Sequence, residues 1–154
     1  MLSYHVSFLK SEDSILMINR DKSPIMGVWN GVFGHLKDGE HPDESTRQHI
    51  FDITGYSVEN FHSKGTITWV NDEGEEKGIY LYFYKLEDTL LKNKIQRTRE
   101  GIMEWKKLDW ILDKKNKGIA RMVSEYLPTL IEKQGMLTFE QQNGVVKQIP
   151  QTSN

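Results

Sequence analysis

The chain has 154 residues, 37% of them hydrophobic and 27% charged, which suffices for one domain with a core of its own. A formal net charge of −2 argues against a binder of nucleic-acid polymers or of anionic membranes, and the absence of cysteine excludes disulfides and thiolate metal sites. No apolar run reaches the ~20 residues that cross a bilayer, and the opening MLSYHVSFLK lacks the pattern of a signal peptide, so a cytoplasmic protein without export is expected.

In chain order, SYHVSFLK (3–10) and SILMINR (14–20) read as strands, and the Gly-punctuated VWNGVFGHL (28–36) reads as irregular. A helix follows over 42–54. Pro42 suits its first position, Asp43 and Glu44 favour its positive end, and Gly55 suits the left-handed residue after it. FHSKGTITWV (61–70) and GIYLYFYKL (78–86) are rich in β-branched and aromatic residues and predict strands joined by the turn NDEGEEKG. IMEWKKL (102–108) predicts another strand. Ile119, Met122, Val123, Tyr126, Leu127, Leu130 and Ile131 fall at helical spacing, predicting a helix over 116–133 that Pro128 kinks or interrupts. Asn143-Gly144 between apolar runs predicts a hairpin over 136–149, followed by a frayed polar tail. Strands, a helix, more strands and a late helix make an α+β domain over 1–134, with residues 135–154 as a hairpin extension and tail.

Gly34, Glu40, Ile50 and Gly55 stand at the spacing of the Nudix box, with Tyr56 at its last place. WNGVFGHLKDGE is similar to the WNGxGGKxxxGE segment of the MutT-like branch, which handles oxidised purine nucleotides. SILMINR resembles that branch's second strand and REGIMEWKKLD (99–109) its late strand. The resemblance spans residues 3–131 and implies the Nudix fold, an α/β/α sandwich with a mixed sheet between helices. It also implies a pyrophosphohydrolase that uses magnesium or manganese to neutralise a bridged diphosphate and activate water.

The chemistry of that box needs three carboxylates along one helical face, because hard cations prefer oxygen. The matching positions are His49, Asp52 and Ile53, and the family's Arg is Gln48. Ile53 has no oxygen to offer, and its place argues that the metal cluster was lost. The resemblance assigns Asp52, Glu100 and the backbone carbonyl of Phe33 as metal ligands. Each assignment has a plainer counterpart. Asp52 reads equally as solvated surface, and Glu40 as either a helix-capping carboxylate or an outer-shell catalytic group. His49 reads as a general base, a ligand or a helix-surface histidine. Asn30 reads as a purine-reading amide or as a turn residue before Gly31. Arg20 and Lys22 read as phosphate contacts or surface charge, and His35 takes the place of the lysine usual after the box's first glycine. The four tryptophans read as core or rim.

The expected function is binding of a nucleoside polyphosphate, an 8-oxo-dGTP-like one included, with hydrolysis to monophosphate and pyrophosphate weakened. The alternative is an inactive nucleotide-sensing or protein-interaction module. A homodimer formed through the hairpin's open edge is a further expectation.

Overall fold

Alternating apolar side chains make Tyr4–Ser11 (β1) and Ser14–Arg20 (β2) a hairpin, and each strand buries residues on both faces. The computed structural model describes residues 1–87 and 95–150. Among these residues one mixed sheet is completed by Trp29–Asn30 (β3), Val32–His35 (β4), Gly65–Val70 (β5), Glu76–Lys85 (β6), Gln96–Thr98 (β7), Gly101–Lys107 (β8), Leu137–Gln142 (β9) and Val145–Ile149 (β10). Its main path runs β10-β9-β5-β6-β1-β2-β8-β7, with β3 paired to β2 and β4 to β1. Three helices, Pro42–Thr54 (α1), Leu108–Leu112 (α2) and Val123–Glu132 (α3), complete the described structure.

The core lies on both sides of the sheet. Ile50 and Ile53 of α1 pack with Leu9, Leu16, Val32 and Trp105 on one face. Val123, Tyr126, Leu127 and Leu130 of α3 pack with Val6, Phe8, Ile67 and Phe139 on the other. This is the α/β/α layering expected. Asp43, in the first turn of α1, docks that helix: it accepts hydrogen bonds from Tyr82 Oη at 2.8 Å and from the Ser63 backbone N–H at 3.2 Å.

The sheet splits at its centre. β1 and β2 pair at their hairpin end, through Lys10↔Ile15 and Ser11↔Ser14. Beyond that end β1 takes β4 as its partner, through Tyr4↔His35 to Ser7↔Val32, while β2 takes β3 and β8. Gly31 joins β3 to β4 at the split, where a Cβ would lie 2.4 Å from the Ser7 carbonyl oxygen.

Several expectations hold. Helix α1 starts at Pro42 and ends at Gly55, which is left-handed at φ 79° and donates its N–H to Phe51 O. The hairpin turns at Asn143 and Gly144, both at positive φ, as its dipeptide requires. Others are corrected. Residues 28–36 carry two strands rather than irregular chain, because their hydrogen bonds go to β1 and β2. The segment 61–70 is strand from Gly65 onward. The late helix begins at Val123, not at 116. Before it, Gly118 donates to Asn116 Oδ1, and Trp29 N–H and Ala120 N–H exchange backbone bonds with Gly118 and Trp29 carbonyls. Sheet-like pairing therefore takes Ile119 out of the helix despite its helical spacing. Pro128 sits inside α3 without interrupting it. The hairpin also extends the main sheet: β9 runs parallel to β5 and buries Leu137 and Phe139 in the α3-side core. Residues 151–154 of the expected frayed tail lie outside the described residues.

Candidate functional site

Five elements converge where the sheet splits. Arg20 ends β2, Glu100 precedes β8, Phe33 and Gly34 belong to β4, His5 to β1 and His49 to α1. The β2·β8 register places Arg20 opposite Gly101, which brings Glu100 beside the guanidinium. Arg20 Nη1 lies 3.2 Å from Glu100 Oε2, with both side chains largely shielded from solvent at 10% and 14% exposure. The same Nη1 faces the Phe33 carbonyl at 3.5 Å. Nε donates to Pro24 O at 3.0 Å and Nη2 to Ser23 O at 3.4 Å. All three guanidinium nitrogens therefore have acceptors within the protein. In this structure the Arg20 hydrogen bonds go to the chain's own loop, to the Phe33 carbonyl and to Glu100.

The other oxygen of Glu100, Oε1, lies 3.1 Å from His49 Nε2. The pair is close but poorly aligned, and Nε2 makes no in-line hydrogen bond among the described residues. Burial pushes the Glu100 carboxyl up, but His49 and then Arg20 outweigh it, and the group stays ionised below the usual carboxylate range. His5 lies behind His49, with ring centroids 5.1 Å apart and the rings edge to face. Its imidazole is buried, and burial, then repulsion from His49, lowers its pKa from 6.5 to about 3. Gly34 has a local reason in this chain, since a Cβ there would lie 2.4 Å from His5 Nε2.

The donor set does not fit a divalent metal. Ile53 is buried in the α1-side core. Asp52 is exposed and accepts a hydrogen bond from Gln48 Nε2 at 2.9 Å along the outer side of α1. Glu100 and the Phe33 carbonyl already face a guanidinium. Among the described residues no group of three or more His, Asp or Glu side chains is arranged to hold a metal ion. Of the expected ligand set, Glu100 and the Phe33 carbonyl face the Arg20 guanidinium, and Asp52 is bonded to Gln48.

The remaining expected residues scatter. Glu40 Oε1 accepts from the Lys37 backbone N–H at 2.7 Å. The Ser45 hydroxyl, then that N–H, draw its pKa down, while the cap position of α1 is His41, which makes no side-chain cap bond. Asn30 is buried and its Oδ1 accepts from Gly31 N–H at 2.8 Å, the turn reading. Lys22 is exposed on the loop after β2. His35 is exposed and meets the Tyr4 ring edge-on at 5.4 Å.

Beside the ionic cluster lies a cavity of about 700 Å³. Tyr4, Val28, Phe33, Trp69, Ile79 and Met122 give it apolar walls, with Lys117, Arg121 and Gln141 also lining it. Phe33 joins the two regions: its ring stacks on Tyr4 at 5.4 Å, and the Arg20 guanidinium lies 5.7 Å from its centroid. Sequence reasoning missed Lys117 and Arg121 because they lie in a segment whose spacing reads as helix. It missed His5 because a lone histidine among apolar strand residues carries no motif.

No family model matches the chain. Its fold does match solved structures. A mutator MutT protein from Bacillus halodurans superposes with a TM-score of 0.69 at 21% identity, covering 99% of this chain and 100% of that one. The Nudix domain of NrtR from Shewanella oneidensis, solved with ADP ribose, gives 0.61 at 14% identity, covering 85% and 86%. A Caenorhabditis elegans Ap4A hydrolase, solved as a binary complex, gives 0.55 at 14% identity, covering 85% and 93%. The chain therefore has the Nudix fold.

Proposed function

We propose that this chain binds a nucleoside polyphosphate in the cavity beside β4, and that any pyrophosphate hydrolysis it retains is weak. One observation carries the reading: an apolar, aromatic-walled cavity of about 700 Å³, the size range of small-molecule sites, opens next to a cation-bearing rim. Tyr4 and Trp69 suit stacking against a base, and Lys117 and Arg121 suit phosphate oxygens. Neighbours of the same fold were solved with ADP ribose or are named as an Ap4A hydrolase, which supports a nucleotide as the ligand class.

Weak hydrolysis follows from the ionic cluster. The acceptors that would carry a cation face Arg20, so activation of water falls to side chains alone. His49 is the base available there, and Glu100 at 3.1 Å would stabilise the imidazolium formed by proton transfer. Attack at a phosphoryl group would release nucleoside monophosphate and pyrophosphate.

Calorimetry with a panel of purine and pyrimidine triphosphates, ADP-ribose and dinucleoside polyphosphates, with and without chelator, tests this. Saturable binding unchanged by chelator is expected, with product formation far below that of a metal-loaded enzyme. Failure of the whole panel to bind would leave the protein-interaction reading. Rapid chelator-sensitive turnover would overturn the proposal from the other side.

A further inference from the structure

We infer that the Arg20 guanidinium is this site's resident cation, standing where a divalent ion would need to sit and making the site refractory to divalent metals. The inference concerns the same site as the proposed function but does not rest on nucleotide binding.

Glu100 Oε2 and the Phe33 carbonyl oxygen are the ionised and neutral oxygens at the split of the sheet, and both face one nitrogen, Arg20 Nη1, at 3.2 Å and 3.5 Å. Oxygens converging on one point are what attract a hard cation, which takes about six or more of them in all. Here a fixed positive charge supplies the neutralisation, and it cannot leave, because Arg20 is always protonated and is tethered through Nε and Nη2 to Pro24 O and Ser23 O. Its aliphatic and planar parts are shielded, and its charge lies over the Phe33 ring. A divalent ion would have to displace this charge or sit beside it, with like-charge repulsion at short range.

The helix side agrees with this arrangement. Where the cation-facing side of α1 would carry acids, His49 turns Nε2 to Glu100 and Ile53 packs into the core. A resident guanidinium makes extra carboxylates unnecessary for charge balance. Arg20 has a second consequence. Its bonds to Ser23 and Pro24, and the Gly27 N–H bond to Arg20 O at 2.8 Å, fold the loop that brings Pro24 and Ile25 to the cavity. The same side chain thus replaces an ion and shapes the rim of the cavity.

Manganese alone is the probe, titrated by the electron paramagnetic resonance signal of the free ion against wild type, Arg20→Ala, Arg20→Lys, Glu100→Gln and the Arg20→Ala, Glu100→Gln double variant. Folding of each is checked by circular dichroism. Wild type and Arg20→Lys are expected to bind no manganese in the low-millimolar range. Arg20→Ala is expected to bind at least about tenfold more tightly, and Glu100→Gln is expected to abolish that gain. Sub-millimolar binding by wild type that Glu100→Gln removes would overturn the inference. So would a folded Arg20→Ala protein that binds no better than wild type. Where Arg20→Ala does not fold, Arg20→Met keeps the aliphatic packing and takes its place.

Discussion

Arg20 and Glu100 are 80 positions apart in the chain, and their Nη1 and Oε2 atoms meet at 3.2 Å where the sheet splits. The pair joins β2 to the turn before β8, and through Glu100 Oε1 it reaches His49 on α1. A shielded ion pair of this kind costs free energy to desolvate, and breaking it leaves a buried charge without a partner. Removing Arg20 alone is therefore more harmful than removing both charges. Arg20→Met is expected to destabilise the fold by about 2–3 kcal/mol. Adding Glu100→Gln should restore a large part of that loss. Urea unfolding of the two single variants and the double variant gives the coupling, and strictly additive losses would contradict it.

The cavity predicts a separation of binding from folding. Trp69 is a partly buried wall on β5, so Trp69→Ala should cost the ligand more than the fold. A roughly tenfold weaker nucleotide Kd corresponds to about 1.4 kcal/mol of lost contact. Arg121→Glu places an anion on the rim and should weaken triphosphates more than nucleosides. Calorimetry on both variants checks this, and equal losses for triphosphate and nucleoside would place the phosphates elsewhere.

Acid stability is set in part by His5. Its folded pKa of about 3 lies below the 6.5 of the unfolded chain, with burial the main cause and His49 the second. Between these values the unfolded state takes up a proton that the folded state refuses, so stability falls as pH drops below 6.5, by up to about 1.4 kcal/mol per pH unit. Glu100 acts at lower pH. Burial raises its pKa, but His49 and Arg20 bring it below the unfolded value, so its contribution is complete above the unfolded pKa and is lost as pH falls through the folded one. His5→Gln should flatten the decline between pH 6.5 and about 3, leaving the loss that Glu100 contributes at acid pH. Chemical denaturation across this range measures both slopes, and identical profiles for the two proteins would remove His5 from the explanation.

Gly65 tests whether the hairpin belongs to the working fold. A Cβ there would lie 2.2 Å from the Leu137 carbonyl oxygen, on the parallel β5–β9 pair. Gly65→Ala must push β9 outward and disturb Leu137 and Phe139, which are buried in the α3-side core. A loss of about 2 kcal/mol or more is expected, with hydrogen exchange of β9 and β10 amides accelerated. An unchanged exchange pattern would mean that the hairpin is docked less firmly than its pairing indicates.

Local signals were readable without a structure. Pro42 and Gly55 bound α1 because a missing N–H is harmless in a first turn and a left-handed terminus suits a residue without Cβ. Asn143-Gly144 placed the last turn for a related reason. The spacing of Gly34, Glu40 and Gly55 pointed to the Nudix fold, and the absence of a carboxylate at positions 49 and 53 could be read directly. Strands β3 and β4 could not be read, because they are two and four residues long and exist through their partners. Ile119 misled by its helical spacing, because the backbone bonds of its segment go to Trp29.

Sequence alone thus determined which elements form where a residue's own backbone preference or a short-range pattern decides, and that positions 49 and 53 bear no carboxylate. Tertiary structure alone decided which charge faces Glu100. The register of β2 against β8 turns Arg20, which read as a phosphate contact or surface charge, into a shielded counter-ion. Backbone preference acts over a few neighbours, whereas the charge next to Glu100 depends on how distant strands pair.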